Sequence, residues 1–470
     1  MDKKYKKLFS NTIIFSIGTF SSKILVFLLV PFYVHFLSDA EYGTVDLITQ
    51  TANLLIPLVS MGIESAVLRF GLDEAVDKKA VFSTGVSAIL IGFAVFLLTI
   101  PIINSIKIIG TYTLLLFIYV FVGCFRLLCT NFTRATQHVK LYSFDGLLCT
   151  ILLISFNILY LMVFDMGIMG YVLAIICSDS CSVVFLTICA KLYRYVDFAK
   201  VKAAVYKPML RYCLPLIPAN VFWWITHVSD RYMVTYMIGE STNGLYAIAY
   251  KIPTMITIVS TIFMEAWQLS AVTEKNDPEL PKFFSNVLSY YQSFVFLCGS
   301  GCILFCKVMI YLLTLGQPDF YISWRYVPAL IIATCFSCFT TFVGSVYVVE
   351  KKSVTSLATT AMGAVVNIIL NFALIPFFGA NGAAAATASS YLFTYLIRAY
   401  TTRKMIPMQF SFGKTALNTV LLIAQTVVTL LEFPYWYLIS GGIFAVIMVI
   451  NLRSLVRALL QLIAKRRRRS

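Results

Sequence analysis

The stretch Asn220-Val-Phe-Trp-Trp-Ile-Thr-His-Val-Ser-Asp-Arg-Tyr-Met-Val-Thr235 lies in an apolar run long enough to cross a bilayer, yet holds His227, Asp230 and Arg231. On insertion scales a charge at membrane depth costs roughly 2.5–3.5 kcal/mol, so such residues are rare, turn away from lipid and mark ion or substrate paths. At helical spacing Asn220, Trp224, His227, Arg231 and Thr235 share one face. A guanidinium can bind a phosphate through two parallel hydrogen bonds. The chemistry these types suggest is binding of an anion, and nothing in the stretch suggests bond cleavage.

Three other segments carry polar stripes. Thr12, Ser16, Thr19 and Lys23 share a face, as do Asp46, Gln50, Asn53, Ser60 and Glu64, with Pro57 among them. Tyr250, Thr254, Thr257, Thr261, Glu265 and Gln268 form the fourth. Polar faces inside a membrane turn toward one another or toward water, so the expectation is a water-filled cavity between two halves of the chain. Its candidate binding residues are Lys23, Arg231, His227, Asp230, Trp224, Asn53, Gln50, Tyr250 and Lys251. The candidates for ion coupling are Asp46, Glu64, Asp179 and Glu265. Lys23 sits about 11 residues into its run, roughly 16 Å deep, beyond easy snorkelling. Lys251 and Lys307 lie nearer an outer end and can reach the interface. Competing readings stand beside these: hydroxyls that bond between helices, an ion pair of Arg231 with Asp230 or Asp46, and aromatic residues that only pack. Asp179 has no evident partner in the sequence.

The elements that must position these residues are membrane helices. The chain has 470 residues, of which 60% are hydrophobic and only 12% charged, with mean hydropathy +0.85. Soluble domains carry about 25% charged residues. The expected fold is an all-α polytopic membrane protein of about 14 transmembrane helices, at 12–37, 42–67, 80–104, 110–130, 144–164, 167–190, 212–238, 245–271, 285–313, 325–349, 353–376, 379–401, 415–433 and 435–455. The basic N-terminal stretch before the first run reads as the flank of a retained helix, since that run is too long for a signal peptide. With the N-terminus inside, all but six of the 37 lysines and arginines fall on the cytoplasmic side; the exceptions are Lys23, Lys107, Arg231, Lys251, Lys307 and Arg325. Both termini are then cytoplasmic. The net charge of +16 therefore reflects topology, and the tail Ala464-Lys-Arg-Arg-Arg-Arg-Ser470 reads as an anchor to anionic lipid rather than a nucleic-acid arm.

The sequence lacks a Walker A motif, a dinucleotide fingerprint and a large loop able to hold catalytic carboxylates, so an enzyme is not expected. All 12 cysteines lie between Cys124 and Cys338 and read as small apolar filler; no metal and no cofactor are expected. The chain also looks duplicated: Phe36-Leu-Ser-Asp-Ala-Glu-Tyr-Gly43 and Met237-Ile-Gly-Glu-Ser-Thr-Asn-Gly244 are outer turns between spans, and Glu64 matches Glu265 at the same offset. An even number of spans per copy makes the repeat parallel. The expected parts are an N-terminal six-helix lobe at 1–200, a C-terminal six-helix lobe at 201–404, and two further helices with a basic tail at 405–470. The same alignment sets Lys23 opposite Trp224, so the two deep cations are not repeat equivalents.

Ile375-Pro-Phe-Phe-Gly-Ala-Asn-Gly-Ala-Ala-Ala-Ala-Thr-Ala-Ser-Ser390 is similar to the Gly-x-x-Gly-Ala-Ala-x-Ala-Thr entry of the twelfth helix of polysaccharide exporters. Ser229-Asp-Arg-Tyr232 resembles their Asp-Arg signature, and Phe36 to Gly43 their first outer turn. The resemblance covers nearly the whole chain and points to the Wzx-type flippase branch of the multidrug/oligosaccharidyl-lipid/polysaccharide (MOP) exporter superfamily. It implies two six-helix lobes around a central cavity in a bacterial cytoplasmic membrane. It further implies export of undecaprenyl-pyrophosphate-linked oligosaccharide, from inner to outer leaflet by alternating access, for cell-surface polysaccharide such as O-antigen. Expected partners are this lipid-linked substrate, membrane lipids, H+ or Na+ if transport is ion-coupled, and polysaccharide polymerase or assembly proteins; the protein is expected to be a monomer without nucleic acid. A cation-coupled multidrug exporter and a lipid II flippase of the same fold remain alternatives. Lys23 and Arg231 favour an anionic head group, whereas a drug exporter would lean on intramembrane carboxylates.

Overall fold

The computed structural model of the chain describes residues 25, 27–73, 75–106, 108–273, 278–350 and 352–467. Among them every regular element is helical. After a short α1 (Val30–Phe36), Ser38 starts α2 (Asp39–Val59) with a capping box: its hydroxyl accepts the Glu41 backbone N–H at 3.3 Å while its own N–H donates to the Glu41 carboxylate at 2.9 Å. The turn Phe36 to Gly43 is thus fixed by local chemistry. Pro57 cannot continue the ladder, and Met61 and Gly62 follow at φ 53° and 64°. The chain therefore bends by 57° before α3 (Ile63–Gly71).

Four long helices complete the first part: α4 (Lys78–Leu97), α5 (Thr113–Ala135), α6 (Val139–Asn157) and α7 (Gly167–Cys189). An amphipathic α8 (Ala203–Cys213) leads into α9 (Leu216–Met237), which carries the stripe of His227, Asp230 and Arg231. Next come α10 (Glu240–Ala249) and α11 (Lys251–Thr273), bent by 41° at their junction, then α12 (Leu280–Leu304), α13 (Cys306–Leu313) and α14 (Val327–Val349). A 51-residue helical segment, α15 (Ser353–Arg403), is broken at Gly379, whose φ of 59° and ψ of −143° suit a residue without Cβ. Finally α16 (Phe412–Leu431) and α17 (Trp436–Arg467) follow.

Among the described residues eight helices are long and apolar enough to cross a membrane, and the two bent pairs raise this to ten. The break at Gly379 divides α15 where two spans are expected, and every expected span from the second onward contains a helix. The chain is a multi-pass membrane protein. The repeat is visible in the elements: α2 begins one residue after Ser38 and α10 one residue after Gly239, so the Asp39 and Glu240 starts keep the spacing that relates Gly43 to Gly244.

The chain divides into two compact units, 1–224 and 225–470. In the second, Trp267 stacks on Phe342 at 4.8 Å and donates its indole N–H to Ser345 at 3.0 Å. Polar clamps hold the last two helices to it. Ser300 donates to Gln425 at 2.7 Å, Gln425 donates to Ser440 at 3.1 Å, and Asn451 donates to Asn418 at 2.7 Å. Lys307 pairs with Glu432 and lies 4.2 Å from the Trp324 ring and 4.4 Å from the Trp436 ring.

Candidate functional site

The C-terminal half of α9 brings Asp230 into a buried polar cluster. Asp230 is 1% exposed. Its Oδ2 accepts from the hydroxyls of Tyr246 at 2.8 Å, Tyr250 at 3.0 Å and Thr387 at 3.4 Å, and its Oδ1 accepts the Arg231 backbone N–H at 2.9 Å. Tyr246 is on α10, Tyr250 follows its end, and Thr387 is on α15, so the carboxylate ties three elements together. Such a group belongs inside a membrane bundle only when hydrogen-bonded on several sides.

Behind Thr387 the network continues along α15. Asn367 donates to Thr387 at 3.1 Å and accepts from Asn371 at 3.0 Å and Ser229 at 3.0 Å. Asn367, Asn371 and Ser390 are fully buried. The guanidinium of Arg231 lies 4.6 Å over the Tyr250 ring, and the backbone carbonyl of Arg231 accepts from Thr235 at 2.7 Å. One turn earlier, the Tyr391 hydroxyl is 2.8 Å from the ring nitrogens of His227. Of the expected binding residues, His227, Asp230, Arg231 and Tyr250 thus meet in one part of the second unit. Lys251 follows Tyr250 directly and is half-buried.

In the first unit, Trp224 donates its indole N–H to the Gln50 backbone carbonyl at 2.9 Å, so the near end of the stripe is fastened by backbone. Asn53 is exposed and Asp46 half-buried. Glu64 is buried and accepts from Ser60 at 2.8 Å, whereas its repeat counterpart Glu265 is exposed. Lys23 lies outside the described residues. Asp179 corrects the reading of a carboxylate without a partner: it pairs with Arg126 at 2.9 Å, and Asp145 nearby accepts from Ser182 at 2.7 Å. Arg126 sits within α5, inside the expected span 110–130.

Asn367, Asn371 and Thr387 carry the weakest signal in the sequence. Asn367 and Asn371 are one turn apart in an otherwise apolar run, a spacing that signals a polar face. Thr387 is hidden in the small-residue run from Gly382 to Ala388, which reads as helix packing.

Bent helix pairs in each half, a glycine-broken long helix and a buried acid among hydroxyls define a polytopic membrane protein with polar groups held inside its helix bundle. Solved structures agree on the fold. The lipid II flippase MurJ in an inward closed conformation matches with TM-score 0.72 at 16% identity, over 95% of this chain and 100% of that one. An inward-facing multidrug resistance MATE family transporter of the MOP superfamily matches with TM-score 0.68 at 15% identity, over 82% of this chain and 94% of that one. A MOP superfamily transporter from Pyrococcus furiosus, described as having a binding pocket of reversed polarity, matches with TM-score 0.60 at 15% identity, over 84% and 94%. No curated protein matches the sequence. The family model described as polysaccharide biosynthesis protein matches residues 8–267, more than half of the chain. The chain belongs to the polysaccharide biosynthesis protein family and has the MOP superfamily fold.

Proposed function

We propose that this protein is a flippase, not an enzyme, that carries undecaprenyl-pyrophosphate-linked oligosaccharide from the inner to the outer leaflet of a bacterial cytoplasmic membrane by alternating access. The observation that carries the reading is Arg231: an arginine only 8% exposed, within the helix α9 of a polysaccharide biosynthesis family member. A fork of N–H donors suits a pyrophosphate better than it suits an organic cation. Lys23 supplies the second deep cation, and together they offset the desolvation of the head group while the polyprenyl tail stays in lipid. An anion moving outward gains roughly 2.3 kcal/mol per charge per 100 mV of inside-negative potential.

A second reading concerns coupling. The Asp230 cluster gathers oxygens of a carboxylate, a threonine and two asparagines, and the buried Asn371 Oδ1 meets no hydrogen-bond donor among the described residues. Hard monovalent or divalent cations prefer all-oxygen surroundings, and a proton on Asp230 would serve equally. H+ or Na+ binding here would reset the hydroxyl network and drive the return step.

Both termini face the cytoplasm in this reading, lobes 1–200 and 201–404 move against each other, and 405–470 is an addition to the second. The decisive experiment is translocation of lipid-linked oligosaccharide in proteoliposomes. Arg231→Ala and Lys23→Ala should each lower the rate about tenfold or more, equivalent to ~1.4 kcal/mol. Normal transport by both removes the cationic pathway. Drug efflux that depends on Asp46 or Glu265 would favour a multidrug exporter, and rescue of wall synthesis a lipid II flippase.

A further inference from the structure

A cavity of about 550 Å³ opens at one end of the first unit, where α4 begins, α5 hands over to α6 and α7 ends. It is lined by Lys79, His138, Lys191 and Arg194, with Tyr195 and Cys189 as less polar walls. Among the described residues no carboxylate lines it. The nearest acid in sequence to Lys79, Asp77, is bonded to Lys200 at 2.6 Å. The volume lies in the range of pockets that hold small molecules, about 300–1,000 Å³, so it exceeds the needs of a bare ion.

The walls are built rather than accidental. Ser83 of α4 donates to the Tyr195 carbonyl at 3.0 Å and accepts the Asp197 N–H at 2.7 Å, pinning the turn after α7 to α4. The Tyr195 ring meets Phe132 edge-on at 5.0 Å, and Leu192 is 1% exposed. Lys191 leaves α7 at φ 53°, the left-handed region that a lysine enters only at a cost. Helix ends of membrane spans lie at the head-group level, so the cavity opens toward lipid phosphates and toward water together. Three solvent-accessible cations, Lys79, Lys191 and Arg194, around one recess suit a ligand with two negative charges.

We propose that this cavity binds a phosphate-bearing group with two negative charges, either the head group of a doubly charged lipid such as cardiolipin or a soluble phosphate. The assignment does not depend on the transport substrate. Full-length protein in detergent is washed and its retained lipid counted by native mass spectrometry after exposure to cardiolipin, phosphatidylglycerol or phosphatidylcholine; radiolabelled inorganic phosphate binding is measured in parallel. The test variant is K79Q/K191Q/R194Q, with K79R/K191R/R194K preserving charge should the first fold poorly. Near-surface cations contribute about fivefold each, so the glutamine variant should lose at least tenfold in cardiolipin retention while the charge-preserving one keeps it. Retention of inorganic phosphate with the same loss, and no cardiolipin selectivity, assigns the site to a soluble ligand. Equal retention by wild type and glutamine variant, or no preference for doubly charged lipid together with no phosphate binding, overturns the proposal.

Discussion

Each half of the chain buries carboxylates in its helices, and the two halves satisfy them by different means. In the first, Asp179 meets a fixed opposite charge, Arg126, at 2.9 Å. In the second, Asp230 meets three hydroxyls and one backbone N–H directly, with the Arg231 charge acting on it from the next residue. A guanidinium can only donate and does not lose its proton. A hydroxyl can turn from donor to acceptor, so its partner can be protonated or bound by a cation without leaving an orphaned group. The first arrangement locks three helices, α5, α6 and α7, into one geometry. The second can be rewired, which is what a step that alternates between two states requires.

The sharpest way to break that comparison is Asp230→Ala. It strips the acceptor from Tyr246, Tyr250 and Thr387 at once. Each buried hydroxyl left alone costs about 1–3 kcal/mol, so a loss of roughly 3 kcal/mol and no measurable translocation are expected, read by thermal unfolding in detergent and by the proteoliposome assay. Asp230→Asn keeps an acceptor and should keep most of the stability while still cutting transport about tenfold. Normal transport by Asp230→Asn would show that the hydroxyl network around Asp230 is not rewired during translocation.

Asp179→Asn comes next. It leaves Arg126 without its counter-charge, but that side chain is 33% exposed and partly solvated. The expected destabilisation is therefore about 1–2 kcal/mol, below the 3–5 kcal/mol for a fully buried pair, with transport within about threefold of wild type. A double-mutant cycle with Arg126→Ala isolates the pair. Transport loss as deep as that of Asp230→Asn would show that the first-half carboxylate matters to translocation as much as Asp230 does.

This difference was half legible in the sequence. Helical spacing exposes the stripe of His227, Asp230 and Arg231, and Ser38 and Glu41 announce the turn that starts α2. Gly379 after Pro376 separates two spans. What spacing along one helix does not carry is pairing across helices. Arg126 and Asp179 are on different helices, so position along the chain leaves Asp179 a lone acid and gives Arg126 no partner. Thr387 was lost for a related reason: among alanines and glycines a single hydroxyl looks like close packing until the acid it meets is known. The cluster needed α15 laid against α9 and α10, which is tertiary information.

Within the second half, Tyr391→Phe sharpens the comparison further. It removes the hydroxyl 2.8 Å from His227 and leaves the Asp230 acceptors untouched. A loss of about 0.5–1.5 kcal/mol is expected, with transport changed less than by Asp230→Asn. An equal transport defect would make His227, rather than Asp230, the switching group.

The smallest effect belongs to the ion pair between Lys200 and Asp77, although at 2.6 Å it is shorter than Arg126 to Asp179. Both partners are exposed, so water competes for each and salt screens the attraction. The Lys200 hydrogen bond, helped by the Lys79 N–H, holds the Asp77 carboxyl below its ordinary value, and Asp77 holds the Lys200 ammonium above its own. The signs follow. The carboxylate contribution is complete above its unfolded value and fades as pH falls through the lowered one; the ammonium contribution is complete below its unfolded value and fades as pH rises through the raised one. Between those limits Lys200→Gln should leave the melting temperature unchanged at neutral pH in physiological salt, with any low-salt difference fading as pH falls through the lowered Asp77 value. A shift larger than that of Asp179→Asn would show that distance, and not burial, ranks the ion pairs of this protein, and the contrast between its two halves would lose its basis.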